Sequence, residues 1–106
     1  MFARHSALHA ASQNGHVEIV QALIKYGGDQ IDINLKDPDG DAAVHHAALG
    51  DHKMIIQILK NAGADLNSRN RRNQTPLHIA VNKGHLEVLK ALLELKCLAS
   101  LQVNDH

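Results

Sequence analysis

Between His85 and Leu95 the apolar residues stand at 86, 88, 89, 92, 93 and 95, a spacing that follows one face of a helix and does not alternate as a strand would. The preceding stretch, Thr75-Pro76-Leu77-His78-Ile79-Ala80-Val81-Asn82-Lys83-Gly84, reads as a shorter helix with both ends marked. Thr75 can cap it through its hydroxyl, Pro76 fits the first helical position, where no N–H is needed, and Gly84 can take the left-handed conformation that closes it. The pattern occurs twice more. Ser6-Ala7-Leu8-His9 and Ala42-Ala43-Val44-His45 correspond to Thr75-Pro76-Leu77-His78, and each is followed seven residues after its histidine by another, His16, His52 or His85. The copies start at residues 6, 42 and 75, so the period is 33 with one three-residue insertion. A period of this size marks stacked modules.

Turn formers separate the helix pairs: Gly27-Gly28-Asp29 with Asp37-Pro38-Asp39-Gly40, and Gly63-Ala64-Asp65-Leu66-Asn67 with Asn70-Arg71-Arg72-Asn73. The insertion falls near Gln30-Ile31-Asp32, where a surface loop absorbs it at small entropic cost. From about Phe2 to Val103 this pattern resembles the ankyrin repeat. The resemblance implies an all-α ankyrin-repeat solenoid of three helix-turn-helix repeats joined by hairpin fingers, divided at about 2–36, 37–69 and 70–103. Within it, Ala10 to Val17, Gly40 to Ala48, Ala64 to Arg72, Thr75 to Leu86 and Ser100-Leu101-Gln102 are similar to consecutive repeats of the mind bomb family. Those are RING-type E3 ubiquitin ligases acting on Notch ligands, with substrate-binding modules before the ankyrin array and RING domains after it.

Composition narrows the function. Eleven basic side chains balance eleven acidic ones, so no overall field draws in nucleic acid or an anionic membrane. The aromatics are Phe2 and Tyr26 alone, too few for the stacking platforms of single-stranded nucleic-acid binding. Cys97 is the one cysteine, which allows neither an internal disulfide nor a zinc ribbon and suits a reducing compartment. Met1-Phe2-Ala3-Arg4-His5 lacks the apolar core of a signal peptide, and no stretch is long enough to span a bilayer. A cytoplasmic protein is expected, with no nucleic-acid partner and no membrane insertion. Leu92, Leu93, Leu95, Leu98, Leu101 and Val103 leave the last copy without a polar cap, so the parent chain is expected to continue with further repeats.

Nine histidines invite a metal reading, but the repeated pairs His9 and His16, His45 and His52, and His78 and His85 are seven apart and not at the i and i+4 of one zinc-binding helix face. A structural role is expected instead: the Leu-His imidazole bonds near the helix start, and the Gly-His imidazole reaches backbone in an adjoining finger. Asp37, Asp39 and Asp41 alternate like the first ligands of a calcium loop, but the glycine is at 40 and Ala48 stands where the bidentate acid belongs. No phosphate loop or nucleophile motif is present, and Ser6, Ser12, Ser68 and Ser100 read as cap or loop residues. No catalytic residue, cofactor or metal is expected.

A binding surface remains. The ankyrin resemblance places partners on finger tips and the outer side of the first helices. These positions are Phe2, His5, Gln13 and Asn14; then Lys36, Pro38, Asp39, Asp41, Leu49 and Gly50; then Arg69, Arg71, Arg72, Gln74, Asn82 and Lys83, with His46 as a further contact. Acids crowd residues 29 to 41 and arginines 69 to 72, so a partner with an acidic or phosphorylated segment is expected on the basic finger, its direction set by repulsion from Asp39 and Asp41. The alternatives are a structural spacer within a long solenoid and an ankyrin module of an unrelated scaffold, signalling or inhibitor protein. Asn67, two residues after Asp65, resembles the site that an asparaginyl hydroxylase modifies in ankyrin repeats, while it could also simply cap its finger. Three departures carry expectations: Ala42 and Asp51, replacing a capping hydroxyl and a closing glycine, should leave the second copy's first helix least satisfied, and Lys96 should let the chain fray after about Leu95, or leave an ordered tail only where a crystal or dimer contact covers Leu98 and Leu101.

Overall fold

The computed structural model describes residues 3–28 and 31–103, with side chains described from Ala7 to Leu95 within that range. The helices run α1 (Ala3–Asn14), α2 (Val17–Gly27), α3 (Ala43–Leu49), α4 (Lys53–Asn61), α5 (Pro76–Lys83) and α6 (Leu86–Val103), with no strand among the described residues. The first helices α1, α3 and α5 pack in a row, and α2, α4 and α6 form a second row behind them. Together they make the ankyrin solenoid that the period implied.

Residue size explains the two rows. The inner α3 is built of Ala43, Val44, Ala47 and Ala48, all buried, and these short side chains let its neighbours α1 and α5 approach closely. The outer row carries the volume: Ile55, Ile56 and Leu59 of α4 and Val88 and Leu92 of α6 are fully buried. Each such side chain contributes about 1.5–3 kcal/mol on leaving water.

Helix ends depart from the expected boundaries where the sequence lacks a stop. Helix α1 begins at Ala3 and runs through Ser6, because Ala7 stands where Pro76 starts α5 and nothing forces the chain to turn there. Ser6 and Ser12 are therefore helical residues, and Ser100 lies in α6; of the four serines read as cap or loop residues, Ser68 alone lies outside a helix. Helix α6 likewise continues to Val103, past the point where fraying was expected. Lys96, standing where a glycine would end the helix, is itself helical. The side chains of Leu98 and Leu101 lie outside the described residues, as does part of the insertion near Gln30.

Helix α3 is less frustrated than Ala42 and Asp51 suggested. Its C-terminal carbonyls are paired, since the N–H groups of Gly50, Asp51 and His52 donate to His46, Ala48 and Ala47. Asp51 itself takes the left-handed turn with φ 65°, where the corresponding Gly15 and Gly84 have 77° and 72°. The N-terminus lacks the side-chain cap: Thr75 Oγ1 accepts the His78 N–H in α5, whereas in α3 the His45 N–H donates to the Ala42 carbonyl at 3.0 Å.

Two stability changes are expected. The backbone at Ala42 (φ −86°, ψ 173°) nearly matches that at Thr75 (φ −90°, ψ 167°), so Ala42→Thr should raise stability by about 0.5–2 kcal/mol. An unchanged or lower urea midpoint would contradict this. Ser12 is fully buried and its hydroxyl has no hydrogen-bond partner among the described residues, while the second copy has Ala48 at that position. Leaving such a group unpaired costs about 1–3 kcal/mol, so Ser12→Ala should raise the midpoint, and a fall would show that the hydroxyl is engaged.

Candidate protein-interaction surface

Each finger is closed by one side chain at its base. Asp37 Oδ1 accepts the N–H groups of Asp39 and Asp41, both at 2.9 Å, and the Asp37 N–H donates to the Asp41 carbonyl at 3.0 Å. Gly40 turns the tip with φ 80°, and a side chain there would strike the Arg71 backbone of the next finger. Asn70 does the same work in the following finger, its Oδ1 accepting from Arg72 and Gln74 at 2.9 Å. The fingers are then tied to each other. The Arg71 N–H donates to the Asp39 carbonyl at 3.1 Å and Asn70 Nδ2 to Asp41 Oδ1 at 2.8 Å.

The histidines join repeats; those of the Leu-His position bond near the helix start as expected, and those of the Gly-His position take a different route. At the Leu-His position His45 Nδ1 accepts the Ala42 N–H at 3.0 Å, while its Nε2 donates to the Gln74 carbonyl at 2.9 Å. His9 Nε2 likewise donates to the Leu35 carbonyl at 3.0 Å. The Leu-His imidazole therefore reaches the following finger. The Gly-His imidazoles do not; they point back to the end of the preceding repeat's first helix, His52 Nε2 to the Gln13 carbonyl at 2.9 Å and His85 Nε2 to that of Leu49 at 3.1 Å.

His46 was expected to meet a partner, but its ring is spent inside the molecule. Its Nδ1 lies 2.8 Å from Gln13 Oε1 and its Nε2 2.9 Å from Asp37 Oδ2, and it stacks on His9 with ring centroids 5.0 Å apart. It thus braces α1 against the acidic finger. Lys36 is also occupied, its Nζ donating to the Arg69 carbonyl at 2.8 Å, and Arg69 Nη1 bonds the carbonyl of Asn73 at 3.1 Å. Lys36 and Arg69 stand 33 residues apart, one period, so the repeat itself held the signal that they meet.

What stays open is a groove between the second and third repeats, a cavity of about 360 Å³. Leu49 and Ile79 form its apolar part, Asp39 and Asp41 line it from one finger, and Arg72 and Gln74 from the next. Asn82 and Lys83 complete it at the end of α5. Arg71 is exposed but contributes no lining. Gln13, Asn14 and Pro38 are exposed and Gly50 half-buried, all apart from the groove, and the side chains of Phe2 and His5 lie outside the described residues. Exposed Asn67 donates its N–H to Asp65 Oδ1 at 2.9 Å, so Asp65, not Asn67, caps that turn.

Two clusters could offer ligands to a metal ion: His9 with Asp37 and His46, and Asp37 with Asp39 and Asp41. The Asp37 oxygens and one Asp41 oxygen already serve the finger, and burial that would raise the Asp37 pKa is outweighed by the Asp41 and Asp39 N–H groups and His46, which hold it below the ordinary 3.8. Burial pushes the His45 imidazole below its ordinary 6.5, with the Gln74 carbonyl and Asp41 opposing. Across the outer row, Lys53 Nζ pairs with Glu87 Oε1 at 3.2 Å, and that bond and charge lower the Glu87 pKa.

Residues 8–105 match the family described as ankyrin repeats, in three copies. The chain belongs to the ankyrin-repeat family. Its repeats are therefore protein-interaction modules, which are not catalytic in themselves. Over 51 residues, 48% of this chain, it is 60% identical to the E3 ubiquitin-protein ligase mind-bomb of Drosophila melanogaster. It is also 35% identical over 91 residues, 83% of the chain, to a transient receptor potential cation channel subfamily A member 1 homolog of Caenorhabditis elegans. NF-kappa-B inhibitor zeta of Homo sapiens is 31% identical over 80% of the chain. The chain spans only 4%, 7% and 12% of these three relatives. Among solved structures, one of the predatory endopeptidase of Bdellovibrio bacteriovorus in complex with an immunity protein superposes with a TM-score of 0.77 at 27% identity, covering 83% of this chain and 45% of that one. Among the described residues no helix is long and apolar enough to cross a membrane.

Acid should loosen the stack in two steps. His45 and Asp37 both have lowered pKa values in the folded state, so the unfolded chain binds more protons in each range and stability falls as pH falls. The first loss begins below about 6.5, where His45 would protonate in the unfolded chain, and the second below about 3.8 for Asp37. Thermal melts at pH 7 and pH 5 should show a lower midpoint at pH 5, and equal midpoints would contradict the buried neutral imidazole.

Proposed function

We propose that the groove between the second and third repeats docks an acidic or phosphorylated segment of a partner protein. The parent chain, on this reading, is a mind bomb-like RING E3 ubiquitin ligase of the cytoplasm that acts in Notch signalling. The 51-residue match supports the parent, and further repeats are proposed there beyond the three units divided near 36 and 69. Ubiquitin transfer would belong to RING domains elsewhere in that protein, since Cys97 alone cannot build their zinc sites.

The observation that carries the docking reading is that Arg72 and Lys83 line one groove together with Leu49 and Ile79. A guanidinium can grip a carboxylate or phosphate by two parallel bonds, and an ammonium at the far end of α5 adds charge without competing for that geometry. Arg69 and Lys36 strengthen the fingers instead of reaching outward, so the basic site is narrower than the run of arginines suggested.

Titration with a peptide carrying phosphoserine and glutamate tests this. Arg72→Ala with Lys83→Ala should weaken binding by about 1–3 kcal/mol and flatten its salt dependence while leaving the urea midpoint nearly unchanged. Equal affinity of the variant and the unaltered chain at low salt would favour the spacer reading.

A further inference from the structure

The groove that holds Arg72 and Lys83 is not uniformly basic. Asp39 and Asp41 line the same cavity, and they come from the neighbouring finger, which the Arg71 N–H to Asp39 carbonyl bond holds at a fixed distance. Asp41 gives one oxygen to Asn70 Nδ2, and Asp39 contributes its carbonyl and N–H to the fingers, so its exposed carboxylate has no bond among the described residues. Leu49 and Ile79, the apolar lining, belong to successive first helices. The second repeat thus gives the groove Asp39, Asp41 and Leu49, and the third gives Arg72, Ile79 and Lys83, so a segment crossing from one repeat to the other would leave carboxylates and reach cations.

From this arrangement we propose that the groove recognises an extended protein segment of mixed charge: a lysine or arginine facing Asp39 and Asp41, an aliphatic side chain on Leu49 and Ile79, and a carboxylate or phosphate facing Arg72 and Lys83. The proposal rests on the docking reading above and adds the cation to it. A wholly acidic segment would set one of its charges against Asp39 in a site walled partly by apolar groups, where like charges are costly. The mixed segment avoids this and is also fixed in direction, because reversing it places both ends beside like charges. A wholly basic segment is disfavoured in the same way by Arg72 and Lys83.

Selection of a random peptide display library on the 106-residue chain tests the proposal. Recovered peptides are expected to carry opposite charges on the two sides of an aliphatic residue. Asp39→Lys and Arg72→Glu, each alone, should weaken the best of them at least tenfold. Combined in one chain, the two substitutions should restore binding to a peptide with its charges exchanged. Both side chains are exposed at finger tips, and unchanged urea midpoints would show that the variants fold. Recovered peptides that depend on Arg72 yet carry acids alone would overturn the mixed-charge proposal and leave the docking reading standing. Peptides indifferent to Arg72→Glu, or none recovered above background, would remove both.

Discussion

The His45 imidazole is the contact through which the stack is held in register. It is almost fully buried, and its two nitrogens meet backbone groups of fixed character: the Ala42 N–H, which can only donate, and the Gln74 carbonyl, which can only accept. The ring must therefore be neutral, with its proton on Nε2. One side chain thus starts α3 and positions the next finger, so the second repeat's helix and the third repeat's finger cannot be misplaced independently. Replacing it would leave the buried Ala42 N–H without a partner and would take from the Gln74 carbonyl one of its two donors, the Asn70 N–H being the other. The Gly-His imidazoles tie the opposite ends of the first helices, and between them each repeat is fastened at both ends to its neighbour.

The groove follows from that fastening. Its walls are finger tips, and finger tips are long levers whose spacing depends on the repeats behind them. Asp37 and Asn70 shape each finger internally, while the Arg71 to Asp39 and Asn70 to Asp41 bonds set the gap between fingers. His46 adds a brace from α1 to Asp37, so the first repeat also supports the acidic wall without contributing to the groove. A charged surface held by backbone hydrogen bonds keeps its pattern at the cost of flexibility, and pre-organisation of this kind favours one orientation of a docked segment.

Much of this fold could be read from the chain because the signals are local. Thr75, Pro76 and Gly84 mark the ends of α5 by their own backbone chemistry, and of the apolar residues from Leu86 to Leu95, Val88, Leu89, Leu92 and Leu95 form the face of α6 that packs while Leu86 and Leu93 stay exposed. Where such punctuation is missing the boundary was misplaced, as at Ser6, which Ala7 allows to remain inside α1, and at Lys96, through which α6 continues. The site was harder, for a different reason. Arg69 folds back onto Asn73, four residues on, while Lys36 is turned inward by Arg69, one period away. Nothing local separates Arg69, bonded to Asn73, from Arg72, which lines the cavity, and His46 looks like a free surface histidine until α1 and the acidic finger are placed beside it. The second bond of the Leu-His ring and the route of the Gly-His ring have the same origin, since the direction of each imidazole depends on which neighbour it meets.

The ring nitrogens of His45 give the most direct measurement. Two-bond proton–nitrogen correlation spectra of the ¹⁵N-labelled chain at pH 7 should show His45 as the neutral tautomer protonated at Nε2, with Nδ1 as an acceptor. A His45 ring protonated at Nδ1, or a doubly protonated ring, would contradict the account, because neither can accept the Ala42 N–H while bonding the Gln74 carbonyl.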